Sequence, residues 1–180
     1  MDKSKFKYQP FFCEENIWHL AREIGDQFSS SYVLFISSPH EVFPIWHQDQ
    51  ASGPEEVLFW DYHAIFLIYD NQWKIMDFNT LLSFPEEAIV YFKQSFRPEH
   101  IYHFIYPPLF KFIETNIYLT QFSSDRSHMR QTSGNFMKPP PPWPPVNNHL
   151  KPNFTEFIDF NSKKFGEILN LEEVINYISK

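Results

Sequence analysis

The sequence has a single cysteine and only four glycines among its 180 residues. One cysteine cannot form an internal disulfide, which favours a protein of the reducing cytoplasm or nucleus. It also excludes a zinc site built from cysteines, and the eight histidines show no spacing typical of a metal site. The glycines cannot be assembled into a phosphate-binding loop or a dinucleotide fingerprint. We therefore expect neither a metal nor a cofactor.

Basic residues and long apolar runs are scarce as well. Fifteen Lys and Arg face 22 Asp and Glu, which gives a formal net charge of -7. General nucleic-acid binding needs a basic face, so nucleic acid is not an expected partner. No apolar run approaches the length of a membrane span, and Met1–Lys7 lacks the apolar core of a signal peptide. A membrane partner is therefore not expected either.

Aromatic side chains are abundant, at 19% of the chain with 21 Phe. A chain of this length can bury a sizeable core through aromatic packing, without disulfides. Short β-rich runs separated by turn residues alternate with a few amphipathic stretches. The sequence predicts one domain over residues 1–180, of the α+β class, with a mainly antiparallel sheet flanked by helices.

Cys13 lies where a helix is predicted to begin. Apolar residues follow it at intervals of three and four, as on one face of an amphipathic helix: Ile17, Leu20, Ala21, Ile24 and Phe28. The unpaired N–H groups and the dipole at a helix start lower a thiol pKa and favour the thiolate. Glu14 and Glu15 oppose this effect, so a nearby imidazolium would be needed. An isolated cysteine is otherwise most often a small buried hydrophobe.

A β-hairpin is predicted from 57–69 and 73–78, joined by Asp70-Asn71-Gln72. A three-residue loop would place Tyr69 opposite Trp73, and His63 and Asp77 would then be diagonal neighbours on one face. A two-residue loop would put them on opposite faces.

The remaining elements are predicted from pattern and turn chemistry. We expect strands at 32–37, at 42–48 with Pro44 at an edge, and at 110–113; helices at 85–93, with Pro85 in its first turn, and at 169–178; and a short turn at 117–119. The segment 138–146, KPPPPWPPV, must be extended. It is either a stiff connector that docks Trp143 or a ligand for a proline-reading partner.

A cysteine at a helix start, a histidine on a strand and an acid on the next strand form the arrangement of papain-like and transglutaminase-like thiol enzymes. Cys13 would be the nucleophile, His63 the general base and acid, and Asp77 the residue that orients the imidazole. Backbone N–H groups at the helix start, including that of Cys13, would receive the oxyanion. The order alone is weakly specific, because His63 and Asp77 could also be a core histidine and a turn acid.

Four blocks of sequence carry a more specific signal. They are Cys13-Glu14-Glu15-Asn16-Ile17-Trp18, Trp60-Asp61-Tyr62-His63, Ser124-Asp125-Arg126-Ser127-His128-Met129 and Pro139-Pro140-Pro141-Pro142. In type and order they resemble the signature blocks of the protein N-terminal glutamine amidohydrolases, over about residues 8–157. The resemblance implies a monomeric enzyme of the N-degron pathway that converts the N-terminal glutamine of a polypeptide to glutamate and releases ammonia.

The resemblance carries the catalytic positions over to Cys13, His63 and Asp77. Position 79, where the family pattern suggests a second acid, is Asn79, which becomes the alternative orienting residue if Asp77 is not. Selectivity for the N-terminus needs either an acceptor for the substrate's α-ammonium, for which the candidates are Glu14, Asp61 and Asp125, or a pocket too closed for any preceding residue. Ser127, in the same block as Asp125, is a further candidate for substrate binding. The block around Asp125 could equally be an Asx turn with a local salt bridge.

Two other functions remain open at this point. One is a papain-like protease or transglutaminase acting on internal peptide or glutamine groups. The other is a non-catalytic module that binds peptide N-termini or docks through its proline segment.

Overall fold

The computed structural model describes residues 1–180 and contains a six-stranded antiparallel sheet with the strand order β6-β5-β4-β1-β7-β8. A separate pair, β2 and β3, is also antiparallel. The strands are β1 (Ser31–Ser37), β2 (Phe43–Ile45), β3 (Leu58–Trp60), β4 (His63–Asp70), β5 (Gln72–Met76), β6 (Glu86–Glu87), β7 (Leu109–Glu114) and β8 (Glu167–Asn170).

Six α-helices accompany the sheet. They are α1 (Cys13–Ile24), α2 (Ala88–Phe96), α3 (Ile101–Ile105), α4 (Thr115–Gln121), α5 (Phe154–Phe157) and α6 (Leu171–Ile178). None of these helices has the length and apolar character needed to cross a bilayer. A mainly antiparallel sheet with helices around it confirms the predicted α+β class.

The central strands β1 and β4 are buried on both faces because an apolar core lies on each side of the sheet. Alternate β4 residues contribute to each core, as the two-residue period of a strand requires. Ala64 and Phe66 pack in the core that contains α1, whereas Ile65 and Leu67 pack in the core that contains α2 and α6. The sheet is thus held from both faces, and its strand ends are fixed in position.

The predicted hairpin register is confirmed. Tyr69 pairs with Trp73 and Phe66 with Met76, so the same register continued beyond the ladder brings Ile65 level with Asp77. Asp70 and Gln72 also pair, which leaves Asn71 at the tip with φ 57°. The helix start at Cys13 and the strands at 32–37 and 110–113 are confirmed within one residue at each end.

Five predicted elements need correction. The strand expected at 42–48 is limited to Phe43–Ile45, in the two-stranded pair with β3. The arm 57–69 is interrupted at Asp61-Tyr62, so its first part, β3, pairs with β2 instead of continuing β4. The helix expected at 85–93 begins only at Ala88, because residues 86–87 pair with β5. Residues 117–119 belong to the helix α4, and the segment 169–178 begins as strand β8. In each case sheet pairing or packing overrides local propensity.

Candidate active site

His63 and Asp77 lie beside each other at the ends of neighbouring strands. His63 is the first residue of β4, and Asp77 directly follows the last residue of β5. The Nε2 atom of His63 lies 2.9 Å from Oδ1 of Asp77, and both side chains are at most 1% exposed. The indole of Trp60 lies against the imidazole, with 4.9 Å between the ring centroids. A carboxylate that pairs with one ring nitrogen fixes both the orientation and the tautomer of a histidine.

Asp77 receives three further hydrogen bonds. The backbone N–H of Asn79 donates to Oδ1 at 2.9 Å, the Tyr91 hydroxyl donates to Oδ2 at 2.8 Å, and Gln48 Nε2 lies 3.4 Å from Oδ2. Burial alone would raise the pKa of Asp77, but the charge of His63 and these hydrogen bonds outweigh burial and hold the pKa below its ordinary value. Asp77 is therefore a carboxylate that can support an imidazolium.

Asn79, the alternative orienting residue, does not face His63 with its side chain. Its amide nitrogen donates to the Tyr8 hydroxyl at 3.1 Å and to Asp49 Oδ1 at 3.3 Å. Only its backbone N–H takes part, as a donor to Asp77. The geometry therefore favours Asp77 over Asn79 as the partner of the imidazole.

Cys13 is the first residue of α1, whose N-terminus has no side-chain cap. The chain before it is fixed by Asn16, whose side-chain oxygen accepts from the Gln9 N–H and whose amide donates to the Gln9 carbonyl, both at 2.9 Å. The backbone N–H of Ala64 lies close enough to the Cys13 sulfur to lower the thiol pKa. Because Ala64 directly follows His63, the thiol lies at the start of β4.

The second ring nitrogen of His63, Nδ1, is buried and has no hydrogen-bond partner in the protein. A buried polar atom without a partner is costly, and a catalytic role is one explanation for it. Since Nε2 is held by Asp77, Nδ1 is the nitrogen that remains for proton exchange with a thiol or a substrate.

The expected lowering of the Cys13 pKa is wrong for the resting protein. Burial, followed by the negative charge of Glu14, raises the thiol pKa well above its ordinary value, and the Ala64 N–H opposes this only in part. The helix start is thus outweighed by desolvation and by a carboxylate one residue away.

Glu14 forms a buried polar cluster beside the thiol. Its Oε2 accepts from the Tyr62 hydroxyl at 3.1 Å and lies 3.7 Å from the Cys13 sulfur, while its Oε1 lies 3.2 Å from His128 Nε2. Burial, followed by the charge of Glu14, raises the pKa of Tyr62 well above its ordinary value. The Glu14 carboxylate is fully buried and already partnered, so it is not open to a substrate.

Two other predicted binding residues lie outside this cluster. Asp125 and Ser127 are exposed, and Asp125 Oδ1 accepts from the Ser127 N–H at 2.9 Å in an Asx turn. Hydrogen bonds from the side chain and the backbone of Ser127 lower the pKa of Asp125. The Asx turn, which is the alternative prediction for this block, is present. The local salt bridge expected with it is absent, because Arg126 pairs with Glu15. The geometry does not support Asp125 or Ser127 as substrate-binding residues.

The proline-rich segment is fastened to α1 through Glu15. Arg126 binds Glu15 with two hydrogen bonds, at 2.7 and 2.8 Å, and also donates to the Trp143 carbonyl at 2.8 Å. The Trp143 indole N–H donates to Glu15 Oε2 at 3.1 Å. Segment 138–146 has no helix or strand, as predicted, and these contacts support the connector interpretation.

A cavity of about 400 Å³ opens beside Cys13. Its wall includes Trp60, Asp61 and Tyr62, and exposed apolar side chains such as Phe11 and Phe59 stand around it. Asp61 is exposed, and one of its oxygens accepts from the Tyr62 N–H at 2.8 Å. Of the four predicted binding residues, Asp61 is therefore the one that lines the cavity. No group of three or more His, Cys, Asp or Glu side chains lies close enough together to hold a metal ion.

Sequence reasoning missed several members of the site. Tyr62 and His128 lie inside the quoted blocks, so their position beside other polar residues was a usable signal. Tyr91 and Gln48 gave none, because Tyr91 stands in a predicted helix and Gln48 at the end of a predicted strand, and neither pattern points to Asp77. Their contacts with Asp77 arise only from the packing of α2 and the 46–49 loop.

Comparisons with known proteins show similarity over nearly the whole chain. The family model described as N-terminal glutamine amidase matches residues 8–178. The chain is 32% identical over 181 residues to the protein N-terminal glutamine amidohydrolase of Drosophila mojavensis, covering 96% of this chain and 88% of that protein. It is likewise 32% identical over 185 residues to the protein of the same name from Drosophila melanogaster, covering 98% and 90%.

Proposed function

The chain belongs to the N-terminal glutamine amidase family, and we propose that it hydrolyses the side-chain amide of a polypeptide's N-terminal glutamine. The products are an N-terminal glutamate and ammonia. One observation carries the proposal: a buried His63–Asp77 pair, whose Nδ1 has no partner in the protein, begins the strand whose Ala64 N–H lies near the Cys13 sulfur, and Cys13 lines an open cavity. Cys13, His63 and Asp77 act in it as a catalytic triad.

In the first half of the reaction, Nδ1 of His63 takes the thiol proton as the Cys13 sulfur attacks the carboxamide carbon. The thiol of the free protein is neutral near pH 7, because burial and Glu14 raise its pKa. The sulfur therefore loses its proton only after the substrate has bound. The oxyanion is held by N–H groups at the uncapped start of α1, including that of Cys13. The C–N bond then breaks, His63 gives its proton to the leaving nitrogen, and ammonia and a thioester result.

In the second half, water replaces ammonia. His63 removes a proton from the water, whose oxygen attacks the thioester carbon, and the C–S bond breaks as the sulfur regains its proton. Throughout, Asp77 keeps Nε2 protonated and stabilises the imidazolium, as an orienting carboxylate does in other triads. One water is consumed and the thiol is restored, so no cofactor is required.

Selectivity for the chain terminus is assigned to Asp61. Asp61 lines the cavity, and its carboxylate has an oxygen that is not used by the Tyr62 N–H. An α-ammonium group bound there would form a charge-assisted hydrogen bond, which an acetylated terminus cannot form. Asparagine, one methylene shorter, would lose about 1–3 kcal/mol of transition-state binding and place its carbonyl away from the sulfur.

We also propose an oligomeric state, a cellular location and a structural class for the arrangement of Cys13, His63 and Asp77. Residues 1–180 act as one monomeric catalytic domain in the cytoplasm or nucleus, where the product glutamate feeds the N-degron pathway. The helix-borne thiol and the strand-borne imidazole and acid follow the papain-like and transglutaminase-like arrangement, which the positions of Cys13 on α1 and His63 on β4 support.

The test compares a Gln-initiated peptide with its N-acetylated twin and an Asn-initiated peptide, with ammonia release as the readout. We expect ammonia from the free Gln peptide alone, and none with Cys13→Ala. Equal release from the acetylated peptide would instead indicate a transglutaminase-like or protease-like enzyme. Peptide binding by both wild type and Cys13→Ala without any ammonia would indicate a binding module.

A further inference from the structure

Asp77 must present one oxygen to His63, yet a carboxylate can rotate about its Cβ–Cγ bond. The Asn79 N–H, at 2.9 Å, and His63 both contact the Asp77 carboxylate through the same oxygen, Oδ1. Rotation is prevented only if Oδ2 is also held. A positioned orienting group is worth more than a mobile one, because small misplacements at a reacting centre cost large factors in rate.

The hydroxyl that holds Oδ2 comes from a different layer of the protein. Tyr91 lies on α2, in the core on the far face of the sheet from α1, and is fully buried. Its hydroxyl donates to Oδ2 at 2.8 Å, a normal length for an O–H donor. Its ring is packed edge-to-face against Phe92 and Phe96, at 5.6 and 6.2 Å between centroids. The hydroxyl is therefore aimed by a rigid side chain.

Gln48 supports the same oxygen more weakly. Its side chain is fully buried, with Nε2 3.4 Å from Oδ2 and 3.5 Å from the Trp46 carbonyl. Its Oε1 has no hydrogen-bond partner in the protein. Burial of an amide that forms so few hydrogen bonds lowers stability. Its presence at this position is explained if the contact with Asp77 is needed for function.

We propose that Tyr91, supported by Gln48, is a positioning residue that locks the Asp77 carboxylate toward His63 during the amide hydrolysis proposed above. Neither side chain touches the substrate or the sulfur. Each acts through Asp77, so its loss should lower turnover and leave substrate binding unchanged.

The test uses Tyr91→Phe, which removes one oxygen and keeps the ring, with Tyr177→Phe as the matched control. The Tyr177 hydroxyl lies 3.1 Å from that of Tyr32 and has no contact with Asp77. With Gln-initiated peptide we expect Tyr91→Phe to lower kcat about tenfold, with KM within twofold of wild type, while Tyr177→Phe changes neither.

A pH profile separates positioning from simple loss of packing. Removing a donor from the carboxylate raises the pKa of Asp77, so the acid limb of kcat/KM should move to higher pH by about half a unit or more. The other titratable groups around Asp77 are His63 on β4, Cys13 on α1, and Asp49 and Tyr8 beyond Asn79. All of them are unchanged in the variant.

Gln48→Leu provides the second test, and it decides the matter if Tyr91→Phe does not fold. We expect a smaller fall in kcat and an acid-limb shift in the same direction, because the Gln48 contact is the longer one. Wild-type kcat and an unmoved acid limb in the folded variants would overturn the inference. Absence of ammonia release from the wild type would instead overturn the proposed function and this inference together.

Discussion

Among individual side chains, the sharpest contrast is between Asp77 and Asn79, two polar residues separated by one position. Both are nearly fully buried, and both lie where a triad acid is expected. Only Asp77 bonds to the imidazole, whereas the Asn79 side chain turns toward Tyr8 and Asp49. Alternation along an extended chain cannot separate residues two positions apart, so the choice depends on the local backbone.

Asp77→Asn should lower kcat by about 10²- to 10⁴-fold, because an amide can hold the wrong tautomer and cannot stabilise an imidazolium. Asn79→Ala should lower kcat by less than about tenfold, since its backbone N–H still donates to Asp77. Steady-state ammonia release at pH 7.5 measures both. A larger loss in Asn79→Ala than in Asp77→Asn would reverse the assignment.

The charge of Glu14 provides a second prediction, about the reactivity of the thiol. Because this carboxylate helps to raise the Cys13 pKa, Glu14→Gln should lower that pKa and increase the thiolate fraction at neutral pH. We expect iodoacetamide to alkylate Cys13 about threefold faster or more in the variant at pH 7.

Glu23→Gln is the control for that measurement, because Glu23 lies on the same helix but is exposed. It changes the net charge equally without contacting the sulfur. Similar acceleration in both variants would mean that net charge, and not the Glu14 contact, controls the thiol.

Among helices and strands, the elements that carry Cys13, His63 and Asp77 were the most predictable. The start of α1 follows from apolar spacing, and the meeting of His63 with Asp77 follows from the hairpin register, in which Tyr69 faces Trp73. Both depend on contacts close in sequence. The break at Asp61-Tyr62 was missed because aromatic and branched residues dominate the run 57–69 on both sides of it, and its interruption reflects pairing of β3 with the distant β2.

The contacts that complete the site could not be predicted, because they join residues far apart in the chain. Arg126 and Glu15 are 111 positions apart, and Tyr62 and Glu14 are 48 apart. No local pattern specifies such pairs. The same holds for the resting pKa of Cys13, which depends on burial by the whole fold more than on the helix start that the sequence displays.

The fastening of segment 138–146 to α1 allows a prediction about stability. Arg126→Ala leaves the Glu15 carboxylate buried with only the Trp143 indole as a side-chain donor, so the free energy of unfolding should fall by about 3–5 kcal/mol. Lys74→Ala removes a partly exposed i,i+4 pair with Asp70 and should cost less than about 1 kcal/mol. Urea denaturation measures both, and equal losses would show that the Glu15 pair behaves like a surface one.

For the molecule as a whole, the sheet separates two apolar cores that have different roles. The core on the α1 face includes Cys13, so the proposed nucleophile is also part of the packed core. The core on the other face is closed by α2 and by Leu171, Val174 and Ile178 of α6. Tyr91 of α2, which donates to Asp77, and Trp60, which lies against His63, connect this second core to the site. Stability and catalysis should therefore be separable by mutation.

Val174→Ala and Cys13→Ala test that separation in opposite directions. Val174 is fully buried on α6, so its truncation should lower the free energy of unfolding by about 2 kcal/mol and leave kcat and KM of the folded protein unchanged. Cys13→Ala removes one sulfur from an already buried position, so it should change stability by about 1 kcal/mol or less and abolish ammonia release. Urea denaturation and peptide assays on the same preparations measure both quantities. A fall in kcat with Val174→Ala at temperatures where the protein is fully folded would mean that the two cores are coupled through the sheet.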